Sequence, residues 1–327
     1  MPTEPIPIGC TAIKPVERHG LEAIKWFLYD KETGAIMGRT PMSWLLITVF
    51  YIIYYACLAG FWVLCLTIFF QFIDDKEPKW QQEGGLIGNS PALGVRPGQD
   101  ADMIESSMII FNYEAVKDEI AVPGRQGWVD RADKFLEPYR KDFANGVDCT
   151  SKEPADGEFC KFDLSLIGDC ANGAHGFDSN SPCLILKLNR IYGNEPDYFE
   201  DPNDLPEDMP EELKNKIASA EDKRKVWVSC KGENPADEEG IESFEYFPKD
   251  ASFPAQYFPY LNQKNYQSPL VAVKLHNVNE GQLLHIECRA WAKNINYNRR
   301  DRVGIVHFEL MAHSEATAAE VNKMAMA

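Results

Sequence analysis

A stretch of thirty residues without a charge, 44–73, constrains this chain more than any other feature of its sequence. Asp74 and Asp75 follow the stretch and end it. A helix rises about 1.5 Å per residue and the hydrocarbon core of a bilayer is about 30 Å thick, so about 20 apolar residues suffice to cross it. We therefore predict one membrane-spanning helix over residues 44–73. A tail over 1–43 precedes it, and a stalk over 74–105 and a folded domain over 106–327 follow it.

The tail and the charges beside the apolar stretch indicate how the helix is oriented. The tail is too long and too polar for the start of a cleaved signal peptide, and the apolar stretch is too long as well, which favours an uncleaved signal-anchor. The tail carries five basic residues, and an equal length beyond the stretch carries three. This slight excess favours a cytoplasmic tail and an outer C-terminal domain.

The cysteines point the same way. Of the nine, six lie in the predicted folded domain: Cys149, Cys160, Cys170, Cys183, Cys230 and Cys288. An even set in one domain indicates disulfides and an oxidising compartment, although six free, buried thiols in a cytosolic domain are the alternative. The sequence alone leaves the pairing open, and pairing of sequence neighbours is one of many arrangements.

The net charge of −17 belongs to the region beyond the apolar stretch, which has 28 basic and 45 acidic residues. Such acidity argues against nucleic acid as a partner and against docking on anionic lipid. Residues 195–212 hold nine carboxylates, four prolines and no basic residue. We interpret this segment as a solvated, partly disordered loop; the alternative is a surface that attracts cations.

Alternating apolar and polar residues predict half-buried antiparallel strands in the outer domain. The predicted strands lie within 108–113, 184–188, 226–230, 271–275, 284–290 and 303–310. One helix is predicted from a shared apolar face, with Pro138 kinking or ending it. That face consists of Val129, Ala132, Phe135, Leu136 and Tyr139. The pattern favours an all-β fold, a β-sandwich with one side helix.

The sequence contains no convincing catalytic or metal-binding motif. It has no Cys-x-x-Cys, no Gly-rich phosphate loop, no Gly-x-Ser-x-Gly and no His-Glu-x-x-His. Asp100-Ala101-Asp102 would suit a glycosyltransferase, but it lies in the predicted stalk without a βαβ pattern. We predict no catalytic site, no metal site and no cofactor. The histidines at 175, 276, 285, 307 and 313 are predicted to be surface or strand-face residues.

The apolar stretch also contains tyrosines and small residues that a helix surrounded only by lipid does not need. Tyr51 and Tyr55 are four residues apart and share a helix face. Tyr55 lies near the middle of the span, where an unpaired phenol hydroxyl costs free energy. Ala56 and Gly60 form a small-xxx-small pair, which permits close approach of another helix. These residues suggest a partner helix; the alternative is that Tyr55 reaches a local oxygen or tilts to the interface.

Several short motifs occur in a characteristic order along most of the chain. They include FYIIYYACLAG at 50–60, SPAL at 90–93, PCLILKLNR at 182–190, YFPY at 257–260 and IECRA at 286–290. In these motifs and in its cysteine spacing the chain resembles the β subunit of the Na⁺/K⁺-transporting P-type ATPase. The resemblance implies an immunoglobulin-like β-sandwich with the disulfides Cys149–Cys160, Cys170–Cys183 and Cys230–Cys288.

The resemblance also implies a function. The chain would be a non-catalytic subunit of the plasma membrane, with one span, bound to a polytopic α subunit that hydrolyses ATP and moves Na⁺ out and K⁺ in. It would let that subunit fold and reach the membrane, and would tune its affinity for extracellular K⁺. Tyr51 and Tyr55 match tyrosines that pack on α-subunit helices, and Tyr257, Phe258 and Tyr260 match an outer contact segment. Membrane lipid and a small single-pass regulatory subunit are further expected partners.

Two other functions share this architecture: the β subunit of a proton/potassium pump, and a single-pass adhesion protein. One feature departs from the family, which is normally N-glycosylated: the sequence has no Asn-x-Ser/Thr site, because prolines follow Asn89-Ser90 and Asn180-Ser181. We hypothesise that the acidity of the outer domain partly replaces glycans in keeping that surface soluble.

Overall fold

The computed structural model describes residues 24, 27–29, 31, 34–74, 76–98, 108–118, 122–150, 154–155 and 157–325. Most of the predicted tail, with Cys10 and several of its basic residues, lies outside the described residues, and so does Asp100-Ala101-Asp102. The chain divides into two compact units with the boundary between Asp75 and Lys76.

The first unit contains helix α1, Pro41–Phe70. Thr40 precedes it in extended conformation and accepts a hydrogen bond from the Ser43 backbone N–H, while Pro41 takes the first helical position, where no N–H is needed. These two residues explain why the helix begins three residues before the predicted span. Among the described residues, α1 is the one helix that is long and apolar enough to cross a membrane.

The second unit is a β-sandwich. Its strands are β1 (Leu93–Arg96), β2 (Met108–Asn112), β3 (Gly146–Val147), β4 (Phe159–Cys160), β5 (Cys183–Leu188), β6 (Lys225–Gly232), β7 (Ser243–Phe247), β8 (Ser252–Pro254), β9 (Leu270–His276), β10 (Leu284–Trp291) and β11 (Ile305–His313). Its α-helices, within the described ranges, are α2 (Gln126–Arg140), α3 (Glu211–Ser219), α4 (Pro235–Glu239) and α5 (Glu315–Ala325).

Two main sheets form the sandwich. Sheet I has the order β1-β5-β9-β7 and sheet II the order β2-β11-β10-β6-β8, while β3 and β4 form a small separate pair. The sheets pack face to face, because alternate residues of both contribute to one apolar cluster. Typical members are Leu186, Val273, Phe308, Ile286 and Val228, each at most 2% exposed. The predicted sandwich is therefore confirmed.

Each outer face of the sandwich carries a further layer. Helix α2 and the nearby loops cover sheet I through a second apolar cluster, to which Leu136, Tyr139 and Ile185 contribute. The prediction of one side helix on this apolar face is confirmed, and Pro138 lies two residues before its end. A third cluster covers sheet II, where Phe199, Met209 and helix α3 pack on Trp227 and Trp291.

The interpretation of residues 195–212 as a solvated, partly disordered loop is wrong. Phe199 and Met209 are 5% and 2% exposed, since both pack against the paired tryptophans of β6 and β10. The carboxylates of Asp204 and Asp208 form ion pairs with Lys293 and Arg289. The segment is a cover over sheet II, and two of its charges are paired with cations in and just after β10.

All six predicted strands are present, but the pairing pattern was not foreseen in full. Strand β2 runs parallel to β11, although antiparallel pairing was expected throughout. Strand β1, at the edge of sheet I beside β5, lies within the stretch that was expected to be stalk. Strands β7 and β8 were missed because both are short, and every residue of β7 is exposed or only partly buried.

Candidate partner-binding site

The first candidate surface is the tyrosine face of α1, defined here as Tyr51 and Tyr55. Their rings stack with centroids 6.0 Å apart and an interplanar angle of 25°. None of the helix's thirty residues is buried, and the two side chains are 49% and 59% exposed. The stacked pair is therefore a flat aromatic surface that the first unit leaves uncovered.

The hydroxyls of the tyrosine face have no hydrogen-bond partner among the described residues. By contrast, the hydroxyls of Thr48 and Thr67 donate to the carbonyls four residues earlier, at 2.9 and 2.8 Å. The indole N–H of Trp44 donates to the Ile36 carbonyl at 2.9 Å. A tyrosine hydroxyl is too far from its own backbone for such a bond, so a partner for Tyr55 must come from elsewhere.

The small residues of α1 lie on another side of the helix. Successive residues are rotated by about 100°, so Ala56 lies about 140° from Tyr51, and Gly60 lies about 140° from Tyr55. A Cβ placed on Gly60 would meet nothing within 4 Å in this structure. The helix thus presents two separate surfaces, one aromatic and one small.

The second candidate surface lies in the second unit, at residues 257–260; this unit is called the outer unit below, after its predicted side of the membrane. Tyr257 is only 5% exposed; its hydroxyl donates to the Lys161 carbonyl at 3.3 Å, and its carbonyl accepts a hydrogen bond from Tyr266. Burial raises the pKa of Tyr257 to about 12. Phe258 packs against the main core. Of the three predicted contact residues, Tyr257 is buried, while Phe258 and Tyr260 are partly buried; Phe258 packs against the core and Tyr260 does not, so Tyr260 is the better candidate for an outside contact.

Tyr260 is part of a cluster with Arg190 and Tyr266. The two rings are 4.9 Å apart, and the Arg190 guanidinium lies 5.5 Å from the Tyr260 ring and 5.2 Å from the Tyr266 ring. Leu261, which is 49% exposed, follows Tyr260 directly. Sequence reasoning did not select Arg190 or Leu261. Tyrosine and arginine together are the residues most enriched in the energetic centres of protein interfaces.

Residues just after the unit boundary contact the same region. The Asn262 side chain donates to the Lys76 carbonyl at 3.3 Å, and Gln82 donates to the Gly193 carbonyl at 2.7 Å. Gly193 in turn donates its N–H to the Tyr260 carbonyl. A surface hollow of about 700 Å³ is lined by Lys76 and by Phe258, Pro259 and Leu261. The chain therefore enters the outer unit beside the Tyr260 cluster.

The six outer cysteines form three disulfides: Cys149–Cys160, Cys170–Cys183 and Cys230–Cys288. These are the pairs that the resemblance implies. Cys230 and Cys288 are register partners on β6 and β10 of the same sheet, whereas the immunoglobulin disulfide joins the two sheets. Cys57 and Cys65 of α1 are free and exposed.

The prediction that the histidines lie on the surface or on strand faces is wrong for His175, which lies in a turn between β4 and β5 and is 1% exposed. His313 is the last residue of β11, as the prediction allows, and it is buried, at 2% exposed. His175 contacts the Cys170 carbonyl at 2.8 Å and Asp133 at 3.3 Å. Burial lowers the pKa of His313. The burial of His175 has no sequence signal, because it depends on contacts with Cys170 and with Asp133, which lies 42 positions earlier in the chain.

Comparison with known proteins identifies the family of the chain. Residues 14–308 match the family model of the sodium/potassium ATPase beta chain. The chain belongs to this family. It is 37% identical to the sodium/potassium-transporting ATPase subunit beta-2 of Drosophila melanogaster, over 91% of this chain and 94% of that protein. It is 36% identical to subunit beta-1 of the same organism, over 87% and 91%.

Human sodium/potassium-transporting ATPase subunit beta-2 is a more distant member, 29% identical over 89% of this chain and 94% of its own length. The resemblance noted in the sequence motifs is thereby confirmed for the family as a whole. The alternatives of a proton/potassium-pump subunit and of an adhesion protein are not favoured by these relatives.

Proposed function

We propose that this chain is the non-catalytic β subunit of a sodium/potassium pump. It binds the catalytic α subunit, supports that subunit's folding and delivery to the plasma membrane, and modulates its affinity for extracellular K⁺. Membership of the beta-chain family supports the class of assembly. The observation that carries the docking mode is the uncovered tyrosine face of α1, whose hydroxyls have no partner among the described residues.

The tyrosine face suits a protein partner better than lipid. Lipid tails solvate an apolar helix as well as another helix does, so helices associate in membranes through packing and polar contacts. Stacked phenols offer both: a flat ring surface, and two hydroxyls that a neighbouring helix can satisfy with backbone carbonyls or polar side chains. Each such polar contact contributes about 0.6–1.7 kcal/mol in a membrane.

The small-residue side of α1 provides room for a second helix. Because Ala56 and Gly60 lie about 140° from the tyrosine face, one partner helix cannot cover both surfaces closely. We assign the tyrosine face to the α subunit. A small single-pass regulatory subunit, or lipid, would cover the small-residue side.

In the outer unit we propose that the Tyr260 cluster, rather than Tyr257, contacts the α subunit. The cluster offers aromatic, cationic and apolar surface close together, from Tyr260, Arg190 and Leu261. The Tyr257 ring, in contrast, is buried within the outer unit.

This assignment places the C-terminal unit outside the cell and the tail in the cytoplasm. Three disulfides in the outer unit suit an oxidising compartment. Modulation of K⁺ affinity then requires that the chain bind two states of the pump unequally, since equal binding shifts no population. The tyrosine face and the Tyr260 cluster are the candidate sites of unequal contact.

The test is coexpression with a sodium-pump α subunit, followed by purification through this chain in mild detergent. The double variant Tyr51→Leu, Tyr55→Leu keeps the helix apolar but removes rings and hydroxyls. We expect the amount of α subunit that is recovered to fall about tenfold or more, which corresponds to a loss of about 1.4 kcal/mol. Recovery equal to that of the unaltered chain contradicts the proposed docking mode.

The matched control is the double variant Phe61→Leu, Phe70→Leu on the same helix. These rings lie about 80–100° from the middle of the tyrosine face, so their loss should leave recovery unchanged. Any tyrosine variant that still assembles can be assayed for K⁺-dependent ATPase activity. An unchanged apparent K⁺ affinity would exclude the tyrosine face as the tuning element.

A further inference from the structure

Four side chains on the outer face of sheet II form a compact group: His285, His307, Glu309 and Glu233. Strand register places His285 opposite Glu309, and His307 two residue pairs further along β10 and β11, on the same face. Inner positions alternate with these along both strands, as Ile286 and Phe308 point into the core. Glu233 follows β6 and donates its backbone N–H to the His285 carbonyl. Three neighbouring strands therefore hold the group.

The nitrogen and oxygen atoms of this group converge. His307 Nε2 lies 3.6 Å and His285 Nδ1 lies 3.8 Å from the same oxygen, Glu309 Oε1. The ligating atoms of the three residues all lie within 4.8 Å of one another. Ligands of tetrahedral zinc, at about 2.0–2.1 Å from the metal, are about 3.4 Å apart. Side-chain shifts of about 1 Å would bring all three atoms to that spacing.

Glu233 orients His307 in the way that a metal site needs. Its carboxylate accepts a hydrogen bond from His307 Nδ1 at 2.5 Å, so in the neutral ring Nδ1 carries the proton and Nε2 the lone pair. The Nε2 atom is the one that lies 3.6 Å from Glu309 Oε1. A carboxylate behind a ligating imidazole is the usual support of zinc-bound histidine, because it fixes the tautomer and the ring orientation.

The charge around the group also suits a cation. The Glu233 carboxylate contacts both the His307 imidazole and the Arg299 guanidinium. Glu287, opposite His307 in the register, is 4% exposed and contacts Arg299 at 3.8 Å. The two imidazoles therefore have three carboxylates near them, those of Glu233, Glu287 and Glu309, and one guanidinium, that of Arg299. The side chains of His307 and Glu309 are 16% and 24% exposed and that of His285 is 36% exposed, which leaves an access path for an ion.

We propose that His285, His307 and Glu309 form a zinc-binding site on the outer face of sheet II, with Glu233 as the positioning residue for His307. Two imidazoles and one carboxylate are a known set of protein ligands for zinc, and a water molecule takes the fourth tetrahedral position. Nitrogen ligands favour Zn²⁺ over Mg²⁺ and Ca²⁺, which prefer oxygen. The bound ion would link β10 to β11 within the outer domain, whether or not a catalytic subunit is bound.

The test uses the full-length chain, purified in detergent through a tag without histidine and dialysed against ZnCl₂ with a competing chelator. We expect one zinc ion per chain for the unaltered protein. His285→Ala and His307→Ala should each weaken binding at least tenfold, and Glu233→Gln by about 10–100-fold. His276→Ala is the matched control, because His276 also pairs with a cross-strand glutamate, Glu245, at 2.8 Å but has no second histidine. It should leave zinc binding unchanged.

A second measurement needs no variant. ZnCl₂ should raise the unfolding temperature of the outer domain by several degrees, and equal concentrations of MgCl₂ or CaCl₂ should not. Equal zinc binding by the unaltered chain and by the His285→Ala, His307→Ala double variant would overturn the proposal. An unfolding temperature that zinc does not change would do so as well. In either case the four residues would be only a network of hydrogen bonds and ion pairs.

Discussion

The outer unit and the helix α1 differ in how far their own contacts specify them. The outer unit has three buried clusters, two packed sheets and three disulfides. Helix α1 has no buried residue among its thirty. The outer unit is therefore determined by contacts within the chain, whereas the described residues bury no part of α1, and we propose that lipid and a partner surround it. Function follows the same division, because the surface that the chain leaves uncovered is the one that we assign to the partner.

The largest expected effect concerns the longest disulfide loop. Cys230→Ser with Cys288→Ser opens a bridge with a sequence separation of 58 residues. In the chain-entropy model this lowers the free energy of unfolding of the outer domain by about 4 kcal/mol, against about 3 kcal/mol for Cys149–Cys160. Denaturant unfolding followed by near-UV circular dichroism measures the change.

The control for this experiment is Cys57→Ser with Cys65→Ser, the free thiols of α1. It should leave the stability of the outer domain unchanged. If both double variants lost equal stability, the two units would not be independent and the comparison would fail.

The next effect concerns the acidic cover of sheet II. Phe199→Ala removes a side chain that packs on Trp227 and Trp291, and should cost about 3 kcal/mol of stability. Hydrogen exchange within residues 195–210 should rise with it. Glu200→Ala, an exposed neighbour, is the control and should change neither quantity. Rapid hydrogen exchange of this segment in the unaltered protein would instead show that it is a solvated loop.

A smaller effect distinguishes a structural role of Tyr257, as a buried residue of the outer domain, from a role in contacting the α subunit. Burial raises its pKa to about 12, so the folded state disfavours its ionisation. The resulting stabilisation is complete below a pH of about 10 and is lost as the pH rises from about 10 to about 12, an effect of roughly 2 kcal/mol.

Tyr257→Phe should therefore reduce the loss of stability in that alkaline range, while other buried tyrosines such as Tyr246 retain their share. Tyrosinate absorbance during alkaline unfolding measures it. Recovery of the α subunit by Tyr257→Phe should equal that of the unaltered chain. A selective loss of recovery at neutral pH would show that Tyr257 is a contact residue after all.

The smallest expected effect isolates the hydroxyls of the tyrosine face. Tyr51→Phe with Tyr55→Phe keeps both rings and removes two polar contacts, which should weaken association by about fivefold, or about 1 kcal/mol. Quantitative recovery of the α subunit measures this effect. Outer-domain stability should not change. No loss of association would mean that ring packing alone provides the contact.

The sequence predicted those features that depend on local periodicity. The apolar stretch gave the membrane helix, and alternation gave all six strands that were sought. It could not show that β2 pairs parallel with β11, because register between distant strands depends on tertiary contacts. The acidic segment was misjudged because it has many carboxylates and few apolar residues. Its apolar residues Phe199 and Met209 are buried only by contact with Trp227 and Trp291, which lie further along the chain.

The candidate surfaces were predictable to a similar extent. The spacing of Tyr51 and Tyr55 is a local signal and could be read directly. The Tyr260 cluster could not, because Arg190 and Tyr260 are brought together by pairing of their loops, as in the bridge between Tyr192 and Tyr260. The histidine group on sheet II was missed for the same reason. Its members are separated by up to 76 positions, from Glu233 to Glu309, and become neighbours only through strand register.

Photo-crosslinking from single positions around α1, in native membranes that contain the pump, tests the central claim most directly. A photoreactive residue would replace each residue from 50 to 63 in turn. We predict strong crosslinks to a larger polytopic ATPase at positions 51 and 55 and at positions that share their side of the helix, with much weaker ones at 53 and 60. Crosslinks to lipid alone, or to the ATPase with equal yield all around the helix, would contradict the account.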